Sequence, residues 1–253
     1  MVNTTNTLNT TRTLNTILFD LDGTLLQLTQ DAFLGAYITK LKEVFVRLNM
    51  DAGKSIDAVW AGTRAMMRND GTKLNSNRFW TEFVDVLCLS EAQQKKVEAA
   101  CDDFYANEFD SVKSIMRPNS ISSRLVRELS KKGYTVVLAT NPLFPACAVA
   151  TRLGWIGLEP QDFLYLTHYA NSMYCKPNPG YFRDILEKIN KAPENCLMIG
   201  NNPIEDMSAG ELGIETFLVT DCLEAEASVD ISVYKRGTLS ELEALLMTLS
   251  NIA

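Results

Sequence analysis

The 253-residue chain contains one histidine, His168. A lone imidazole cannot make a two-histidine metal site, so HExxH zinc chemistry is excluded, and a Ser–His–Asp triad would have to run through that residue. The six cysteines (Cys88, Cys101, Cys147, Cys175, Cys196, Cys222) are widely scattered and form no CxxC. They read as reduced thiols of a cytoplasmic protein rather than zinc ligands or a disulfide frame. Basic residues are also scarce, with 24 Lys and Arg against 31 Asp and Glu and a net charge of −7. That balance argues against non-specific binding to nucleic acid or to an anionic membrane, while leaving room for a local cation cluster that holds an anionic substrate. No apolar run approaches the roughly 20 residues needed to span a bilayer. The opening MVNTTNTLNTTRTLNT lacks the apolar core of a secretion signal and reads as a polar tail over residues 1–14. What remains, 46% hydrophobic and 22% charged, is the composition of a folded globular chain.

Hydrophobic periodicity divides that chain. The run TILFDLD (16–22) is a short apolar segment ending in acid and predicts a buried strand. From about 26 to 114 the pattern is helical. Leu34, Tyr37, Ile38, Leu41, Phe45 and Leu48 recur at three- and four-residue steps, and Ser90 with Gln93 forms a capping box before a helix carrying Val97, Cys101 and Phe104. After Pro118 strands and helices alternate. A helix over 120–132 ends at Gly133, a strand covers 134–141, and a helix near 144–153 closes at Gly154. Strand 163–169, a helix opened by Asn178-Pro179, strand 195–202, a short helix ended by Gly213 and strand 214–220 follow. Thr238 and Glu241 cap a last helix. Apolar strands separated by helices predict a parallel sheet covered on both faces, interrupted after its first strand by an all-helical insert.

Ligands of such sheets gather beyond the carboxyl ends of the strands. Asp20 and Asp22 lie two apart on the first strand, which would send both carboxyls to one side, with Gly23 allowing a sharp exit. Asp and Gly also serve ordinary turns, and a calcium loop would need oxygen ligands where Leu25 and Leu26 stand. Thr140 and Asn141 close the second strand and offer donors to an anion, although Asn-Pro is also a common turn. Lys176 precedes a helix and either neutralises an anion or is an ordinary surface lysine. Gly200-Asn201-Asn202-Pro203-Ile204-Glu205-Asp206 gathers oxygen donors suited to a hard cation such as Mg2+, and its acids equally suit a helix N-terminus.

In this order the four segments, DLDGT at 20–24, LATN at 138–141, Lys176 in KPNP and GNNPIED at 200–206, resemble the haloacid dehalogenase-like hydrolases, most of which are phosphatases. The resemblance covers about 15–25 and 115–225. It implies a three-layer α/β/α Rossmann-like core over 15–25 and 115–253, with an inserted helical cap over 26–114. Carried over by position, it makes Asp20 the nucleophile that becomes an aspartyl-phosphate. Asp22 would be the general acid and then base, with its backbone carbonyl on Mg2+. Thr140 and Asn141 would hold the phosphoryl oxygens, and Lys176 would screen Asp20 from the phosphate. Asp20, Asp22, Asn201 and Asp206 would form the metal site. One departure stands out: Asn201 occupies a position where the family usually has an acid, which predicts weaker Mg2+ binding, with Glu205 as a possible compensating charge.

The resemblance therefore implies a Mg2+-dependent phosphatase acting on a small phosphorylated metabolite, as a cytoplasmic monomer or homodimer with no nucleic-acid or membrane partner. Hydrolytic dehalogenation fits less well, because halide leaves without the proton that Asp22 would supply. A sugar phosphomutase, or a catalytically weakened binding or regulatory protein, are the alternatives. Within the insert, Arg64, Arg68, Lys73 and Arg78 are candidates to meet a distal anion of the substrate or are a solvated helix face. Trp60, Phe79 and Trp80 read as core, and His168 as structural.

Overall fold

The computed structural model describes residues 14–252. The polar tail expected over 1–14 falls, apart from Leu14, outside the described residues. Six parallel strands, β1 (Thr16–Phe19), β2 (Thr135–Leu138), β3 (Tyr165–Leu166), β4 (Cys196–Gly200), β5 (Glu215–Val219) and β6 (Arg236–Gly237), form one sheet in the order β3-β2-β1-β4-β5-β6. In β1, Ile17 and Phe19 join the larger apolar cluster and Leu18 the smaller one, and β2 and β4 divide their residues in the same way. That alternation is the pleat of a sheet buried on both faces, and it explains why these strands read as unbroken apolar runs.

One face is covered by α7 (Pro179–Ile189), which buries Tyr181, Phe182, Ile185, Leu186 and Ile189, and by a 3-10 stretch over Met207–Leu212. Asn178 accepts from the Gly180 backbone, and Pro179 takes the first helical position, so the Asn-Pro pair opens a helix as the sequence predicts. The other face carries α5 (Ile121–Lys131) and α8 (Leu239–Met247), the latter closed by the expected Thr238–Glu241 capping box.

Between β1 and α5 lie α1 (Gln30–Arg47), α2 (Ala52–Met67), α3 (Asn75–Leu87) and α4 (Glu91–Asn107). The Ser90–Gln93 capping box starts α4 as predicted. The chain enters and leaves this helical segment side by side: the Arg117 amide donates to the Gln27 carbonyl at 2.9 Å, and the Ser122 hydroxyl to that of Leu25 at 2.7 Å. Helix α6 (Ala146–Gly154) follows β2.

The strands are shorter than the sequence predicts. β1 stops at Phe19 rather than 22 and β2 at Leu138 rather than 141, while 163–169 contributes only two strand residues. Pairing ends where the residues must turn outward, so Asp20, Thr140 and Asn201 each sit just past a strand end, on adjacent strands on either side of β1. That is the topological switch point of the sheet.

Candidate active site

Asp20 follows β1 directly, its amide still bonded to the Ile199 carbonyl at 2.9 Å. The chain then turns at Gly23, whose φ of +83° is left-handed, and a Cβ there would lie 2.2 Å from Asn201 Nδ2. This turn changes the expected arrangement. Asp20 and Asp22 do not sit side by side on a strand but leave it in a loop, and each carboxylate pairs with a different cation.

Lys176 is fully buried, and its Nζ donates to Asp20 Oδ1 at 2.9 Å and to Asp206 Oδ1 at 2.7 Å. Burial disfavours the ammonium, but the two carboxylates outweigh it and hold Lys176 well above its ordinary pKa, so it remains a cation. Asp206 Oδ2 accepts from the Asn202 amide at 2.9 Å. Its carboxyl packs against Gly200, where a Cβ would come within 2.1 Å of Asp206 Cγ, which accounts for glycine at the end of β4. Burial, opposed by Lys176 and reinforced by Asp20, pushes the Asp206 pKa up to about 7.

Asp22 faces Arg152, which sequence reasoning missed. This arginine of α6 is fully buried. Its Nη1 donates to Asp22 Oδ2 and its Nε to the Ala148 carbonyl at 3.2 Å, while its guanidinium lies 4.5 Å from the Phe144 ring centroid and 5.5 Å from that of Phe33. The rings and the helix fix the guanidinium, and the guanidinium fixes Asp22. Asp22 Oδ1 is buried with no hydrogen-bond partner, as is Arg152 Nη2. Desolvation outweighs Arg152, so the Asp22 pKa is raised.

Thr140 is buried, and its carbonyl accepts from the hydroxyls of Thr167 at 2.6 Å and Tyr181 at 2.8 Å. Asn141 Oδ1 accepts from the Lys176 amide at 3.2 Å, and its Nδ2 donates to Glu205 Oε2 at 2.9 Å, so this one side chain ties the second, third and fourth segments together. Asn201 accepts from the Thr24 hydroxyl at 3.1 Å and donates to the Cys222 carbonyl at 2.7 Å. An ionised carboxylate could accept but not donate, and this gives position 201 a structural reason for lacking charge. Glu205 is largely buried and Glu224, beyond β5, lines the same cavity; burial raises both, and Asp20 raises them further. Glu224 was not anticipated.

The donors suit a hard cation by chemistry: carboxylates, amide oxygens and backbone carbonyls, with no imidazole or thiolate among them. Among the described residues, no three His, Cys, Asp or Glu side chains already converge in a ready metal cluster, since the acids are drawn toward Lys176 and Arg152. The fit therefore rests on the type of donor.

Asp20, Asp22, Thr140, Asn141, Asn201 and Asp206 open onto a cavity of about 240 Å3 that runs beneath α1–α4. Trp60, Phe79 and Trp80 pack against the core, as expected, and also line the cavity. None of Arg64, Arg68, Lys73 and Arg78 does, and Arg78 is paired with Asp70 at 2.5 Å. His168 lies off the cavity; its Nδ1 accepts from the Ala170 amide at 3.2 Å, in a local turn.

The protein resembles known ones across nearly its whole length. Pyrophosphatase PpaX of Bacillus cereus is 23% identical over 239 residues, which is 94% of this chain and 97% of that protein. The crystal structure of 2-haloacid dehalogenase from Pseudomonas syringae pv. Tomato DC3000 matches the fold with a TM-score of 0.63 at 17% identity, covering 92% of this chain and 98% of that one. The HAD-hydrolase YfnB of Bacillus subtilis, in a structure bound to magnesium, matches with a TM-score of 0.55 at 20% identity, again over 92% and 98%. At such identities the structural likeness speaks for the fold. The family model for haloacid dehalogenase-like hydrolases matches residues 14–213, and with the four segments placed around one buried lysine, this chain belongs to that family.

Proposed function

We propose that the protein is a Mg2+-dependent phosphatase that hydrolyses a small phosphomonoester through phosphorylation of Asp20. The observation that supports this most is the fully buried Lys176 bridging Asp20 and Asp206. An anionic nucleophile can approach an anionic ester only where fixed positive charge screens the two, and a buried ammonium supplies it in a low-dielectric setting. Lys176 holds Oδ1 of Asp20, which leaves Oδ2 as the attacking oxygen.

In this reading Asp20 Oδ2 bonds to phosphorus while the bond from phosphorus to the ester oxygen breaks. The departing oxygen takes a proton from Asp22 and leaves as the alcohol. Asp22 then accepts a proton from the water that attacks phosphorus, which frees phosphate and restores Asp20. The partnerless Oδ1 of Asp22 suits that proton traffic, while Arg152 holds Oδ2. Thr140 and the Asn141 amide hold the phosphoryl oxygens. Asp20, Asp206, Asn201 and the Asp22 carbonyl would hold magnesium, which when bound adds positive charge against the phosphoryl group.

A second acid that works as a proton donor favours phosphate esters over halides, which leave unprotonated. The pyrophosphatase among the relatives points to the same phosphoryl transfer. No described helix is long and apolar enough to cross a membrane, and free thiols at all six cysteines suit a reducing, cytoplasmic setting. Phosphate release from a panel of phosphomonoesters with saturating Mg2+, abolished in Asp20→Asn, is the expected result. No release from any ester would contradict the reading.

A further inference from the structure

We infer that the alcohol half of the substrate is neutral and apolar, an aryl or medium-length alkyl group, rather than a sugar, a carboxylate or a second phosphate. The inference rests on the phosphatase reading for where the phosphate sits, and the cavity supplies everything else. Away from the acids and amides at the strand ends, its walls are mostly apolar, with the rings of Phe33 and Tyr37 from α1, Trp60 from α2, Phe79 and Trp80 from α3, and Phe144 after β2, and with Gln30 and Thr63 as the uncharged polar side chains of α1 and α2. Few polar tips stand among them. Tyr37 and Tyr105 both line the cavity and bond hydroxyl to hydroxyl at 2.7 Å, which leaves one O–H between the two rings for a ligand rather than two.

Charge points the same way. Every charged side chain on the lining is acidic, including Asp102 from α4, and among the described residues no Lys, Arg or His lines the cavity. The nearby cation, Arg152, is held between Asp22 and the Phe144 ring, and Lys176 is taken by Asp20 and Asp206. A second anionic group on the substrate would therefore meet carboxylates with no counter-charge, a costly burial. A hydroxyl-rich sugar would lose its water to aromatic faces. An apolar group gains from the same transfer. The size also fits, since a dry apolar cavity of about 150 Å3 accepts benzene and this one measures about 240 Å3. Asp22 belongs to the same lining, so the ester oxygen joining the phosphate to that group would arrive beside its carboxyl.

The test is a series of ethyl, butyl, hexyl, phenyl and 1-naphthyl phosphates, set beside glucose 6-phosphate, 2-phosphoglycolate and pyrophosphate, with wild-type protein and Mg2+. kcat/KM is expected to climb along the alkyl series by up to about fourfold per methylene. It is expected to exceed the three polar substrates by more than about tenfold for hexyl or naphthyl phosphate. A flat series, or a preference for any of the three polar compounds, overturns the inference and leaves the phosphatase reading standing, because hydrolysis has then been seen. A second measurement needs no catalysis: Asp20→Asn protein is titrated with 1-naphthol and followed by tryptophan fluorescence, with Trp60 and Trp80 as reporters. If no ester is hydrolysed the phosphatase reading fails, and the apolar site is decided by this titration alone. Saturable quenching supports it, and no change up to the solubility of naphthol overturns it.

Discussion

Arg152 and Asp22, 130 residues apart, form an ion pair in which the arginine is sealed from solvent while the aspartate is half-buried and keeps one oxygen unpaired. The arginine is held by its own helix and by two aromatic rings, so it sets the direction of a side chain that the proposed mechanism requires to give and take a proton.

Arg152→Met is expected to destabilise the protein by about 1–3 kcal/mol, because it takes the charged partner from a half-buried carboxylate. Adding Asp22→Asn is expected to recover part of that loss. The same single change removes the charge that opposes desolvation at Asp22, so its pKa rises further and the alkaline limb of kcat moves to higher pH. Thermal denaturation and a pH–rate profile check the two halves separately.

Lys176→Met leaves Asp20 and Asp206 facing each other without their shared cation. Two carboxylates so placed hold a proton between them, which would disable Asp20 as the proposed anionic nucleophile. kcat is expected to fall by about 100- to 1000-fold at saturating Mg2+, measured by phosphate release.

The raised Asp206 has two consequences with opposite signs. Its pKa moves from an ordinary 3.8 to about 7 in the folded protein. The metal-free fold thus binds this proton more tightly than the unfolded chain does. That contribution to stability is complete below about 4 and is lost as pH rises toward 7. Magnesium requires the deprotonated form, so its apparent affinity is expected to increase by up to about tenfold per pH unit up to 7 and then level off. Titrations of wild type and Asp206→Asn between pH 5 and 8 check both: the difference in stability should follow the first trend, and the slope in affinity should vanish in the variant.

Asn201→Asp tests why a neutral residue stands there. An added charge is expected to tighten Mg2+ binding. It also replaces a donor to the Cys222 carbonyl with an acceptor, which is expected to cost the metal-free protein about 1–3 kcal/mol. Calorimetric titration and urea unfolding measure the two effects.

Much of the sheet was legible because strands buried on both faces are continuous apolar runs, and the capping residues Ser90, Asn178 and Thr238 each mark a helix start by a local hydrogen bond. The ends of the strands were not, because β1 stops where its neighbours stop, and that is decided by pairing with β2 and β4. The positions of Asp20, Lys176 and Asp206 were legible from their order in the chain. Arg152 was not: a basic residue near the end of a helix is ordinary in sequence, and only the fold brings Asp22, Phe33 and Phe144 around it. The two-residue β6 and Glu224 gave no local signal either. The aromatic residues of α1–α3 were visible, but the same spacing serves a packed core and the wall of a cavity.

The most direct test of the account is to trap the phosphorylated enzyme. Wild-type protein turning over a phosphomonoester is quenched in acid, reduced with borohydride, which converts an aspartyl-phosphate to homoserine, and digested for peptide mass spectrometry. Homoserine is expected at position 20, dependent on substrate and on Mg2+ and absent from Asp22, Glu205 and Asp206. Steady phosphate release with position 20 unmodified, or with the mark on another residue, would contradict it.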